Sequence, residues 1–149
     1  MITLRPGCPE DASALQALLA AYDMAGEIDP ADCLLAVDLD GVVGFARLEW
    51  ADRVPYLRPL VVAPASQRQG VGRRLVEALL ADRAELRVVA RGQAAPFYTA
   101  LGFWAIDWDA VHPPFRRECE RCPDRPTCQP VPMIIHAAKP AAKVRKNHA

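Results

Sequence analysis

The segment Gln67-Arg68-Gln69-Gly70-Val71-Gly72 lies between an apolar run ending at Ala63 and an amphipathic stretch that starts at Gly70. A turn entering a helix presents several backbone N–H groups with no intrahelical acceptor, and the helix dipole adds partial positive charge at the same place. Gly70 and Gly72 lack a Cβ, so an anion can approach the main chain, and Arg68, Arg73 and Arg74 are close enough in sequence to add charge. The pattern suits a phosphate or pyrophosphate. It is not a Walker loop, because Arg73-Arg74 stand where that loop needs Lys followed by Ser or Thr. The dinucleotide fingerprint wants a third small residue where this chain has Leu75. On these residues alone, a glycine-rich helix start that holds no ligand is the alternative.

A second group with chemistry is Cys119-x2-Cys122-x5-Cys128. Three thiolates are soft ligands, and His112 or His136 could furnish a fourth for zinc. Structural zinc sites usually show two close pairs, so free thiols or a local disulfide are the competing readings, and no metal requirement is expected. Cys8 and Cys33 read as small apolar residues.

These groups need a frame. The 149 residues are 52% hydrophobic, enough for one domain with a sizeable core. Eighteen basic residues balance eighteen acidic ones, so no net field draws the chain onto nucleic acid or an anionic membrane. No apolar run approaches the roughly 18 residues of a membrane span. A soluble, cytoplasmic monomer or homodimer is expected, with neither nucleic acid nor membrane as partner.

Ile2 to Arg5 alternates like a strand; Pro9, Glu10 and Asp11 then open a helix carrying Leu15, Leu18, Leu19 and Tyr22. Leu34–Val37 and Val42–Leu48 flank Asp38-Leu39-Asp40-Gly41 as an antiparallel hairpin. Tyr56 to Ala63 is a further strand in which Pro59 cannot donate a ladder bond, so a bulge or splayed edge is expected there. Residues 70–84 form an amphipathic helix, 86–90 a strand, 94–101 a short helix closed by Gly102, and 103–106 a strand. Residues 107–130, with little periodicity, read as an insertion before a last strand at 131–136. The segment 137–149 reads as a disordered basic tail.

Leu60-Val61-Val62-Ala63-Pro64 followed by Gln67-x-x-Gly70-x-Gly72 resembles motif A of the GNAT acetyltransferases. Pro96-Phe97-Tyr98-Thr99-Ala100-Leu101-Gly102-Phe103 resembles the family's second signature, and the two motifs stand in order, the resemblance extending over residues 1–106. The resemblance implies a mixed α/β fold: a central, mostly antiparallel, splayed sheet of six to seven strands flanked by about four helices, with acetyl-CoA in the splay. By this likeness the main chain of Leu60, Val61 and Val62 pairs with pantetheine, and the amides of Arg68, Gln69, Gly70, Val71, Gly72 and Arg73 hold the pyrophosphate. Tyr98 matches the tyrosine that protonates or hydrogen-bonds the departing thiolate, which a phenol of pKa about 10 can do at neutral pH. The family often has Asn seven residues earlier to hold the cofactor; here the position is Arg91.

An ammonium acceptor must lose a proton before it attacks a thioester. Glu49 is the candidate base, with Tyr56 and Arg58 on the next strand, where relatives often place one; a water chain is the alternative. Leu57-Arg58-Pro59-Leu60 and the segment from Asp109 to Cys128 also resemble acetyltransferases found with arsenic-resistance operons, which are similar to N-acetylglutamate synthases. That kinship implies an amino acid or amino-acid-like acceptor whose carboxylate pairs with Arg58. The expectation is thus an N-acetyltransferase acting on a small primary amine in a ternary complex. Its alternatives are a catalytically silent acyl-CoA-binding regulatory domain and a cysteine-based metal or redox sensor.

Overall fold

Eleven residues of alternating character, Gly41–Ala51, make the longest strand of the protein, β3, and organise everything around it. The computed structural model describes residues 1–138, so most of the segment read as a basic tail lies outside the described residues. β3 pairs antiparallel with β2 (Cys33–Asp38) across the tight turn at Leu39-Asp40, and with β4 (Val54–Val62) on its other side. β1 (Thr3–Pro6) borders β2. Beyond β4 come β5 (Glu85–Ala90), β7 (Val131–His136) and the two-residue β6 (Trp104–Ala105), so the seven strands run β1-β2-β3-β4-β5-β7-β6.

Side-chain alternation along the strands selects the two faces. Leu35, Phe45 and Val61 bury Leu15, Leu18 and Leu19 of α1 (Ala12–Ala20). Their neighbours Ala36, Ala46 and Leu57 face the other way, toward Val71, Leu75 and Val76 of α2 (Val71–Leu80) and Tyr98 of α3 (Ala95–Leu101). Leu75 is fully buried, and burying a side chain of that size contributes about 1.5–3 kcal/mol. Gly102, in the left-handed region at φ 108°, ends α3 as expected.

Residues 107–130 differ from the irregular insertion expected. They hold α4 (Pro113–Arg121) and the short α5 (Arg125–Cys128). Phe115 of α4 is buried with Val111 against Tyr56. Phe115 is the one buried residue of α4 and α5 has none, which is too sparse to produce a periodic signal.

Two features of the sheet create the working space. Among the described residues β4 and β5 are the only parallel neighbours, and they share a single paired position, Tyr56 with Arg87; beyond it the strands diverge. In the same strand, Ala46 pairs with Leu60 but Leu48 pairs with Leu57, so Arg58 and Pro59 together oppose Arg47. This is the bulge anticipated at Pro59, whose peptide bond to Arg58 is cis.

Candidate active site

The divergence of β4 and β5 opens a cleft of about 1040 Å³, walled by the α1–β2 loop, the start of α2, the end of β5 and α3. Its β4 wall is main chain turned toward the gap, where the Val62 carbonyl already accepts from Tyr22. Ala63 N–H donates to Val43 C=O at 2.8 Å, and the antiparallel alternation therefore turns the N–H and C=O groups of Leu60 and Val62 away from β3 toward the gap. Val61 instead sits between them in the ladder opposite Phe45, with its side chain buried under α1.

At one end of the cleft, the turn into α2 is wound by two left-handed residues, Arg68 at φ 65° and Gly70 at φ 80°. The first amide returned to the chain is Arg74 N–H, bonded to Gly70 C=O at 3.0 Å. The amides before it belong to the unpaired first turn of the helix, where the dipole is positive. Arg68, Gly70, Val71, Gly72 and Arg73 line the cleft, as does Arg91 from across the gap. Gln69 does not, and Arg74 reaches away to the Ile2 carbonyl, so the turn has two of the three expected arginines.

The two glycines serve different ends. At Gly70 a Cβ would meet nothing within 4 Å, and the requirement is its left-handed backbone. At Gly72 a Cβ would lie 2.8 Å from Phe97 Cζ, so its absence lets α3 seat against α2 rather than admitting a ligand.

Tyr98 also lines the cleft. Its ring is buried between Phe97 and Phe103, at centroid distances of 5.0 and 5.1 Å. Burial pushes the phenol above its ordinary range, so it stays protonated throughout neutral pH.

The floor carries a chain of charges. Glu49 Oε1 accepts from Arg47 Nη2 at 2.7 Å and from Arg58 Nε at 3.3 Å, and Arg58 Nη2 donates to Glu118 of α4. Arg47 Nε also donates to the Arg58 carbonyl at 2.7 Å, fastening the bulge. The Arg58 guanidinium lies over the Phe115 ring, 4.2 Å from its centroid. Glu49 borders both the main cleft and a smaller cavity lined by Trp50, Asp52, His112 and Glu118.

Tyr56, expected beside Arg58 at the acceptor, is elsewhere. As the neighbour of Leu57 it points to the face opposite α2, is 1% exposed, and packs on Phe115. Its hydroxyl lies 2.8 Å from His112 Nδ1 and accepts from His112 N–H at 3.1 Å. These contacts make it a core residue anchoring α4, away from the cleft.

The cysteine cluster is also outside the cleft. Cys119, Cys122 and Cys128 are free thiols, and among the described residues no three His, Cys, Asp or Glu side chains gather as metal ligands. Burial raises the Cys119 thiol against the opposing pull of Arg125 and Arg58. His112 is engaged with Tyr56, and His136 stacks on Trp104 at 5.1 Å.

Three residues of the site escaped the sequence reading. Tyr22 donates to the Val62 carbonyl and accepts from Gln67 Nε2, tying the α1–β2 loop to the gap and to the anion turn. Arg47 alternates with Glu49 on one strand face, a signal that was present in the spacing. Glu118 gave none.

The family model described as acetyltransferase (GNAT) domain matches residues 29–105. No curated protein sequence matches. Among solved structures, N-acetylglutamate synthase from Neisseria gonorrhoeae, complexed with coenzyme A and N-acetyl-glutamate, superposes with a TM-score of 0.76 at 13% identity, covering 93% of this chain and 36% of that one. This chain therefore spans about a third of that synthase. Mycobacterium tuberculosis Rv2747, in complex with CoA and NLQ, gives a TM-score of 0.69 at 20% identity over 91% of this chain and 99% of that chain. A putative GNAT-family acetyltransferase from Desulfovibrio desulfuricans gives 0.65 at 20% identity over 93% and 100%. At these identities the likeness is one of fold. Among the described residues, no helix is long and apolar enough to cross a membrane.

Proposed function

Because this chain belongs to the GNAT acetyltransferase family, we propose that it transfers the acetyl group of acetyl-CoA to the primary amine of a small molecule, by direct attack in a ternary complex. One observation carries the reading: the unpaired amides at the start of α2, the gap-facing main chain of β4 and Tyr98 all border one continuous cleft.

The donor supplies an acetyl group activated as a thioester. The amides of Arg68, Gly70, Val71, Gly72 and Arg73 hold its pyrophosphate, with Arg68, Arg73 and Arg91 adding charge. Leu60, Val61 and Val62 provide the pantetheine wall. A gap-facing amide, that of Leu60 or Val62, stabilises the oxyanion. Tyr98 donates a hydrogen bond to the departing sulfur; because burial raises the phenol, its proton shifts only as negative charge collects on that sulfur. For the base, Glu49 is a carboxylate on the β3 floor of the cleft, and its Oε2 takes no part in the bonds to Arg47 and Arg58, both of which land on Oε1. Arg58 pairs with a carboxylate of an amino-acid-like acceptor.

The test is an amine panel with acetyl-CoA, read as release of CoA thiol, together with a thermal shift. At a hundred times its Kd, a ligand stabilises by about 2.7 kcal/mol, a rise of about 5–10 °C for a domain this size. An absence of any acetyl-CoA binding or stabilisation would sink the proposal.

A further inference from the structure

Arg58 is anchored at its backbone and across one face of its guanidinium. Its backbone carbonyl is tied by Arg47 Nε at 2.7 Å, and one face of its guanidinium is covered by the buried Phe115 ring at 4.2 Å. What remains is the edge bearing Nε and Nη2, the fork that engages a carboxylate side-on with two parallel hydrogen bonds. Two different carboxylates divide that fork. Glu49 takes Nε at 3.3 Å while keeping its shorter bond, 2.7 Å, to Arg47; Glu118 takes Nη2. Neither uses it fully.

The two partners are unequally placed. Glu49 lies on the central strand β3 with a side chain 38% exposed and a second arginine to hold it, whereas Glu118 is on the outer helix α4 with a side chain 60% exposed. An ion pair that open is weak and easily exchanged. Glu118 also borders the smaller cavity, which meets the main cleft at Glu49, so its departure from Arg58 would join the two spaces.

We propose that Glu118 is a specificity-determining residue: an exchangeable counter-ion that occupies the Arg58 fork until the carboxylate of an α-amino-acid acceptor replaces it. Resting on the acetyl-transfer reading above, this assigns a role to α4, an element that lies outside the matched family segment. The incoming carboxylate takes Nε and Nη2 together, Glu49 stays with Arg47, and Glu118 turns out into solvent. Acceptors without a carboxylate leave Glu118 in place and meet a closed partition.

The test is side-chain NMR of the Arg58 Nε–H, assigned with Arg58→Lys. The protein is saturated with acetyl-CoA or CoA and titrated with the common α-amino acids and with the matched amines lacking the carboxyl group. At least one amino acid is expected to shift the Arg58 resonance while its amine does not. In Glu118→Gln the same amino acid should bind about five-fold more tightly, as expected on removing a competing exposed ion pair. Amino acids that leave Arg58 unmoved, amines that move it equally, or a Glu118→Gln variant that loses thermal stability with no change in amino-acid affinity would each overturn the proposal, the last by making the pair a structural staple. The Gly70 amide resonance separates the two readings. If acetyl-CoA shifts it and amino acids do nothing at Arg58, only the role of Glu118 falls; if acetyl-CoA does not shift it, the acetyl-transfer reading falls first.

Discussion

Replacing Tyr98 by Phe removes one oxygen and leaves the packing of the ring in place. The ring is held edge-on by Phe97 at 5.0 Å and Phe103 at 5.1 Å, contacts that phenylalanine reproduces. The upward shift of the phenol has burial as its cause, with no hydrogen bond contributing, so the substitution breaks no internal bond. Stability should therefore change by less than about 1 kcal/mol, or about 2–4 °C in melting temperature. Affinity for acetyl-CoA, set mainly by the turn at Gly70 and the β4 wall, should stay within about three-fold. Turnover should not: losing a positioned proton donor costs about 100-fold or more in kcat, equivalent to about 2.7 kcal/mol. The pH profile supplies a further check. Because the folded phenol titrates above its ordinary value of about 10, the wild-type enzyme should show no alkaline decline from Tyr98 between about pH 7 and 9.5. Steady-state kinetics with saturating acetyl-CoA decide the matter. A Phe variant with unchanged kcat, at unchanged melting temperature, would show that the hydroxyl faces the cleft without serving the reaction.

Gly70→Glu should weaken acetyl-CoA binding, measured by calorimetry, by more than about ten-fold, since it sets a carboxylate at the anion turn and forces a side chain into a left-handed backbone that costs about 1–2 kcal/mol; Gly70→Ala isolates the backbone cost, and the remainder is charge. Asp11 accepts from Arg5 at 2.8 and 2.9 Å and from Cys8 N–H at 2.9 Å, and the Arg5 guanidinium holds its carboxyl well below the usual range. A depressed folded value gives stability that is complete above the unfolded value of about 4 and is lost as pH falls below it. Asp11→Asn should thus melt lower than wild type at pH 7, and the gap should narrow progressively as the pH falls from about 4 toward the depressed folded value; a gap independent of pH would refute the linkage.

The features legible in the sequence were those written locally. The turn at 38–41, the Gly102 cap and the amphipathic face of α2 each announce themselves within a few residues, because capping, hairpin geometry and helical periodicity are short-range effects. Pro59 announced its bulge because a missing N–H cannot be hidden inside a ladder. What stayed illegible depends on which face a side chain takes and on what lies far along the chain. Tyr56 and Arg58 are two apart and share a sheet face, yet one is sealed by His112 and Phe115 while the other borders the cleft. That outcome is set by α4, more than fifty residues later, and no spacing near Tyr56 encodes it. Gly72 shows the converse: its position in the motif was read correctly, but the physical constraint is a phenyl ring twenty-five residues downstream.

The bulge at Arg58 and Pro59 links the two halves of the site. An uninterrupted β4 would place Arg58 in register with β3 and keep its carbonyl in the ladder; the extra residue frees that carbonyl for Arg47 and turns the guanidinium against Phe115. One residue further on, Leu60 begins the stretch whose N–H and C=O groups face the gap because β5 has already diverged. A single irregularity therefore sets the side chain proposed to bind the acceptor carboxylate two positions from the main chain proposed to hold the thioester. On the proposed reading, this adjacency along β4 favours acceptors whose amine and carboxylate are one carbon apart over those with the two groups at opposite ends of a long chain.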